Sequence, residues 1–506
     1  MRRLAADTLA GVPSAVARPA FDRQALRCGI VHLGLGAFAR AHLAAVNDAA
    51  IEAIALSEPG AAGASGAWES WGICGVSLRS PATRDALAPQ QGLYTLAQRD
   101  ASGQQLRIIG CLRECLVAPE SPGTVLDRIA SSHARIVSLT ITEKGYCLDP
   151  ASGHLRLDHP DIAHDLNHPE APRSAIGLIV RGLALRMAQG LGPLTLLSLD
   201  NLPANGHTLR GLVLDFAGRV DTALPSWIAS TCTFPNSMVD RIVPRTTTAD
   251  MATVDQGLGL HDAWPVLAEP YLDWVVEDQF AAGRPDWALG GARFVADAAP
   301  WEQLKLRMVN GAHSSIAYLS MLAGWQTVDE AMAQPALRSH IRALLRDEVE
   351  PTLPALPGLD VNAYRERLIQ RFSNPALAHR SAQIAMDGSH KLPQRLLATV
   401  RDRLDAGQSI DRLALGMAAW LLHLRASDDQ GRVFVVDDPQ SAQLKACAGA
   451  AAGLANDEQR AMYFARHLPM LQGLAERSEF IRALARALGV LRHLGAAEAL
   501  QRCSPE

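Results

Sequence analysis

The chain has 506 residues, 48% of them hydrophobic and 20% charged, a mixture that buries substantial cores and excludes disorder as the dominant state. Lys and Arg number 48 against 52 Asp and Glu, a net charge of −4, so the total carries no footprint of a nucleic-acid or anionic-membrane binder. At about 150 residues per domain the length allows two to four domains, and the longest apolar runs, such as 413–422, fall far short of the roughly 18 residues of a membrane span.

The N-terminal Met-Arg-Arg and the alanines after it imitate an export signal, but Asp7, Pro13 and Arg18 break the apolar core that such a signal needs. A cytoplasmic protein is expected. Eight cysteines, at 28, 74, 111, 115, 147, 232, 447 and 503, form no paired Cys-x-x-Cys sets. Buried thiols without a metal or a disulfide role are the plain reading.

In chain order, Arg27-Cys-Gly-Ile-Val-His-Leu33 reads as a buried strand running into Gly34-Leu-Gly36-Ala-Phe-Ala39 and an Ala-rich helix to about residue 56. Residues 59–66 are Pro-, Gly- and Ala-rich and read as a loop, and 71–78 as a second strand. Further strands are expected over 135–142 and 194–199. Strands alternating with helices indicate a largely parallel sheet covered on both faces. Beyond residue 300 long helical patterns dominate, over 301–323, 335–349, 376–386, 413–425 and 457–488, with one strand-like run at 433–436. The expectation is a Rossmann-type α/β domain over 1–290 and a mostly α-helical domain over 291–506, with the active site in a cleft between them. No internal repeat is visible.

The glycine turn is the first segment with chemistry in it. Gly34-x-Gly36-x-x-Ala39 follows a strand and opens a helix, the context in which such spacing cradles a pyrophosphate. The end of the second strand, Ser77-Leu-Arg79-Ser80, lacks the acidic residue that usually holds the adenosine ribose of NAD.

A second signal is Trp301-Glu-Gln-Leu-Lys-Leu-Arg-Met-Val-Asn-Gly-Ala-His313. At about 100° per residue with Lys305 at zero, Glu302 falls at about 60°, His313 at about 80° and Asn310 at about 140°. Leu306, Val309, Ala312 and Ile316 share this arc, while Arg307, Ser314 and Ser315 face elsewhere. One reading is a half-exposed helix with a Glu302–Lys305 pair. The other is a polar cluster lining a closed cleft, where desolvation lowers the Lys305 pKa and suits it as a general base. Two loops follow strands: Asp200-Asn-Leu-Pro-Ala-Asn-Gly206, with Asp200 and Asn201 at the C-terminal edge where open α/β sheets bind ligands, and Thr142-Glu-Lys-Gly-Tyr146. Taken alone, each is equally an ordinary turn. Asp387-Gly-Ser-His-Lys391 reads as the cap that ends the 376–386 helix.

Four blocks together carry a resemblance. They are Ile30-Val-His-Leu-Gly-Leu-Gly-Ala-Phe-Ala-Arg-Ala-His42, Asp200 to Gly206, Phe234-Pro-Asn-Ser-Met-Val-Asp-Arg241 and Lys305-Leu-Arg-Met-Val-Asn-Gly-Ala-His313. They resemble the polyol-specific long-chain dehydrogenases, a family that includes mannitol 2-dehydrogenase, arabinitol 4-dehydrogenase, and fructuronate and tagaturonate reductases. The likeness runs from about residue 16 to beyond 440. Three blocks, 140–147, 171–177 and 374–395, look most like fructuronate reductase (D-mannonate oxidoreductase). Gln383 stands where mannitol 2-dehydrogenases carry an Arg eight residues before the loop lysine, here Lys391, whereas 200–206 looks more like the polyol enzymes.

The resemblance implies a zinc-independent NAD(H)-dependent oxidoreductase, with NADP also open, that interconverts a secondary alcohol and a ketone on a sugar acid or polyol. Fructuronate is the leading substrate and mannitol or D-arabinitol the alternative. It implies Lys305 as acid/base, Asn201 and Asn310 as the pair stabilising alkoxide charge, and Glu143 as the proton's route to solvent. His313, Asp240, Lys391 and Arg380 would bind substrate, the last two as alternatives for a carboxylate. Ile30, Val31, Gly34, Gly36, Ala37, Phe38 and Arg79 would meet the cofactor. The only partner implied is the small-molecule substrate, in a monomer or small homo-oligomer with no nucleic acid or membrane. The rival reading is a catalytically inactive nucleotide- or sugar-binding protein.

Overall fold

The computed structural model describes residues 1–57, 67–150, 152–376 and 378–503; the expected loop at 59–66 lies outside the described residues. The chain divides into two compact units, Met1–Ala299 and Pro300–Glu506.

The first unit is built on a five-stranded, all-parallel sheet of β1 (Cys28–Leu33), β2 (Gly72–Ser77), β5 (Leu112–Val117), β6 (Ile136–Leu139) and β7 (Thr195–Ser198), in the order β5-β2-β1-β6-β7. The continuous apolar runs exist because both faces are covered. Ile30, Ile73, Ile136 and Leu197 join a core with Leu43, Val46, Trp274 and Trp287, while Val31, Cys74, Val137 and Leu196 join another with Ile129, Ile179, Leu183 and Phe216. Successive strand residues thus enter opposite cores, as the two-residue period of a strand requires. The strand order reverses between β1 and β6, and open sheets of this type bind ligands beyond the carboxyl ends at that point.

β5 and six further strands carry too mixed a pattern for the sequence reading to separate. β3 (Tyr94–Asp100) and β4 (Gly103–Ile109) form a hairpin, and β9 (Val266–Ala268) pairs parallel to β3. A second small sheet joins β8 (Ser237–Asp240), β10 (Asp273–Glu277) and β11 (Arg293–Val295). The pairing of β11 with β10 carries the first unit past the expected boundary at 290, to Ala299.

The second unit has no strand among its described residues. Helix Gly311–Ala323 packs on Asp411–His423 at Gly416, where a Cβ would stand 2.7 Å from Ser315 Oγ. Three expectations change here. The run at 433–436 forms only an isolated bridge, Ser427 to Val433, and leaves Val433 86% exposed. The 376–386 helix shrinks to Ser381–Ile384, and Asp387 begins the next helix, Gly388–Leu392, rather than ending the previous one. The 457–488 pattern splits into Asp457–His467 and Ser478–Cys503, with Pro469 between them unable to continue a helix. No helix among the described residues is long and apolar enough to cross a membrane.

Candidate active site

In the first unit the candidate residues begin at the end of β1. Gly34 has φ +97°, and a Cβ there would stand 2.1 Å from the Thr140 carbonyl oxygen, so only glycine fits. Its N–H donates to Val76 O (2.9 Å), and its carbonyl accepts from Thr140 Oγ1 (2.8 Å), which ties the turn to β2 and to the loop after β6. Gly36 is exposed, and a Cβ on it would meet only Gly34 O at 3.9 Å, so the space over it is open for a ligand to approach the backbone. Helix Ala37–Ala41 starts there, with opening N–H groups that have no acceptor inside the helix. Ala39, 2% exposed, supplies the small residue that close packing needs. The turn therefore fits a diphosphate. Ala37 and Phe38 are half-buried beside it. Ile30 and Val31, expected among the cofactor contacts, are fully buried in the two cores, so they support the turn from within the sheet rather than line it. Arg79 is exposed just past β2.

Under the turn, His32 is buried between strands. Its Nδ1 lies 2.9 Å from Ser138 Oγ and its Nε2 3.0 Å from Thr140 Oγ1, and burial lowers its pKa to about 4.

Beyond β6 and β7 the two loops are joined by Asp200. Its carboxylate accepts from Ile141 N (2.9 Å), Thr142 N (2.9 Å) and Tyr146 Oη (2.8 Å), and Tyr146 Oη also meets Ser198 Oγ at 2.6 Å. Burial pushes the Asp200 pKa up, and these hydrogen bonds oppose it. Glu143 is exposed on the short helix Thr142–Gly145, and Asn201 is exposed next to Asp200. The remaining residues of this block are structural. Asn205 donates to Ser198 O (3.2 Å), Asp200 O (3.1 Å) and Ser237 O (2.8 Å), and Asn236 Oδ1 accepts from Gly206 N (3.0 Å). Two motifs over 30 residues apart in sequence are therefore one hydrogen-bonded unit. Asp240 is half-buried at the end of β8, opposite Asp273 of β10.

In the second unit the helix from Ala299 to Ala323 is interrupted by a π-helical turn over Lys305–Asn310. Bonding from i to i+5 brings the fifth residue round to the start of the next turn. Asn310 therefore comes onto the face of Lys305, instead of the 140° that an undisturbed α-helix dictates. Lys305, Asn310 and His313 are 8%, 9% and 9% exposed, so they are not a solvated stripe. Arg307 faces elsewhere as expected, paired with Asp402 at 2.6 Å and donating to Thr352 O at 3.0 Å.

The His313 ring lies 4.3 Å from that of Phe372 and 5.9 Å from that of His379. His379 was not singled out from the sequence. Its Nδ1 is buried with no partner among the described residues, and burial together with the Arg371 charge lowers its pKa. Its only sequence signal was its place beside Arg380 in the 374–395 block. Arg380 is exposed and pairs through its backbone with Thr327. Lys391 donates to Met386 O (2.7 Å) and stands 3.7 Å from Asp387.

Each unit matches one family model, the mannitol dehydrogenase Rossmann domain over residues 28–289 and the mannitol dehydrogenase C-terminal domain over 297–491. The chain is 46% identical to D-mannonate oxidoreductase of Escherichia coli (strain K12), covering 85% of this chain and 87% of that one. It is 39% identical to mannitol 2-dehydrogenase of Pyrenophora tritici-repentis, covering 86% and 75% respectively. Among solved structures, the ternary complex of Pseudomonas fluorescens mannitol 2-dehydrogenase with NAD and D-mannitol superposes with a TM-score of 0.83 at 36% identity, covering 99% of both chains. The protein is an oxidoreductase that belongs to the mannitol dehydrogenase family.

Proposed function

We propose that the protein catalyses the NAD-linked interconversion of D-fructuronate and D-mannonate, with a polyol–ketose pair as the second reading. The observation that carries the chemistry is the π-turn, which puts a buried lysine and a buried amide on one helix face with His313 on the turn that follows. The 46% identity to D-mannonate oxidoreductase supports the sugar acid, and the likeness to a mannitol-bound structure favours the alternative.

The Gly34–Gly36 turn, with Ala37 and Phe38, would hold the dinucleotide, which when bound supplies the hydride donor or acceptor. Lys305 Nζ takes the alcohol proton during oxidation and returns it during reduction. The side-chain amides of Asn201 and Asn310 donate to the substrate oxygen as its charge develops, which neutral donors do without competing for the proton. Glu143, exposed to water, passes that proton to solvent. His313 and Asp240 orient hydroxyl groups, and Lys391 or Arg380 binds the carboxylate.

NADH oxidation measured with fructuronate, tagaturonate, fructose and xylulose tests the assignment. Fructuronate should give the highest kcat/KM. Faster turnover of fructose would replace the sugar-acid reading with the polyol one.

A further inference from the structure

We propose that Asp200 is a positioning residue, whose carboxylate clamps the turn that carries Glu143 and whose backbone carbonyl pins the turn at Asn201. The inference rests on the roles proposed above for those two residues. Thr142, immediately before Glu143, has φ +63°, a left-handed conformation that a β-branched residue enters only under strain. Left to itself, the turn would relax toward the extended region and swing Glu143 away. Asp200 prevents this from both ends. Its two oxygens take the N–H groups of Ile141 and Thr142, each at 2.9 Å, which fixes the peptide planes on either side of Ile141's Cα. The same carboxylate accepts from Tyr146 Oη at 2.8 Å, on the far side of Glu143. A local turn-former would satisfy its own loop, whereas this one serves a loop 59 residues away. Hydrogen bonds to an ionised acceptor are the strong kind, which suits a strained turn.

The backbone of Asp200 is held too. Its carbonyl accepts from Leu202 N (2.9 Å) and Asn205 Nδ2 (3.1 Å), which pins the chain on both sides of Asn201. One residue therefore sets the place of the proposed proton route and of one proposed oxyanion donor. Substrate affinity is assigned to other residues, so loosening the clamp should act on kcat and leave KM nearly alone.

The experiment is Asp200→Asn, in which the amide turns an N–H toward backbone donors. Expected is a kcat lower by about tenfold or more, the size of effect that a small misplacement of reacting groups produces, with KM within about threefold. Adding Thr142→Gly, which adopts positive φ without strain, should restore part of the lost kcat. Tyr146→Phe should give a smaller loss in the same direction and serves if Asp200→Asn does not fold. Hydrogen exchange at 140–146 reads the clamp apart from the chemistry and should quicken in Asp200→Asn. Unchanged exchange overturns the clamp. A kcat loss that Thr142→Gly does not restore overturns the positioning role. If exchange quickens but Glu143→Gln and Asn201→Ala both keep normal kcat, the roles assigned to those two residues are what fails, and the catalytic part of the inference falls with them.

Discussion

The candidate residues of the two units are set in place differently. In the first unit the geometry belongs to the main chain: a left-handed glycine, strand ends and a carboxylate holding backbone N–H groups. In the second it belongs to side chains on a helix whose period is altered over six residues. A main-chain site is fixed by the sheet beneath it, and its residues are needed for what they lack (a Cβ at Gly34) or for what they tie together. A side-chain site depends on the chemical identity of each group and on the helical phase that aligns them. Damage to the glycine turn should therefore fall on binding and stability, and damage to the lysine and amide of the π-turn on the chemical step.

The largest expected effect tests the second unit. Lys305→Ala should lower kcat by roughly two to four orders of magnitude, the range for loss of general acid–base catalysis. NADH binding, followed by fluorescence titration, should survive. A near-normal kcat would remove Lys305 from the mechanism, and loss of NADH binding would break the division between the units.

Gly34→Val should do the reverse. Its Cβ cannot coexist with Thr140 O, so we expect about 2–4 kcal/mol of destabilisation and loss of NADH binding. A variant with the wild-type Tm and NADH affinity would show that the turn relaxes freely.

Acid should separate the units more mildly. Burial keeps three histidines neutral in the fold: His32 in the first unit, with a pKa of about 4, and His340 and His423 in the second, at about 3 and about 4. Below pH 6.5 the unfolded chain takes up these protons first, so stability is full above that pH and is lost as pH falls toward the folded values. At pH 5 each costs about 2 kcal/mol relative to pH 7. Hydrogen exchange read unit by unit should show the second unit losing more protection than the first. Equal losses would mean that other titrating groups outweigh these three.

The smallest effect concerns the cofactor. With Arg79 exposed past β2, a 2′-phosphate meets no repulsion from this residue, so NAD should be preferred only weakly. Arg79→Asp should raise the NAD/NADP ratio of kcat/KM by about tenfold. An unchanged ratio would place Arg79 away from the ribose.

Much of the first unit was legible because its signals are local. The apolar strands β1, β2, β6 and β7 need no partner to be recognised, and Gly34 announces a turn by its own backbone. The short strands β8 to β11 were not legible, since their pairing comes from residues far apart in sequence. The same holds for the blocks that carried the resemblance. Residues 171–177 look like a signature, yet Ser174 caps helix Ala175–Ala188 while Asp165 receives its N–H and hydroxyl. In the second unit the Lys-x4-Asn-x2-His spacing was visible on one arc of a regular wheel, with Asn310 at its far edge, about 140° from the lysine. His379 gave no periodic signal at all, because it lies in an irregular segment.

By itself the sequence determined the parallel sheet, the glycine turn, the helical second half and the residues rich enough in chemistry to form a site. These follow from apolar period, backbone permissiveness and side-chain type, which neighbouring residues express among themselves. Only the tertiary structure decided that Asp200 reaches a loop 59 residues away, that Ile30 and Val31 belong to the cores, and that a π-turn aligns Asn310 with Lys305. Those outcomes depend on which distant groups satisfy a buried donor or fill a packed face, a balance that no local window of sequence contains.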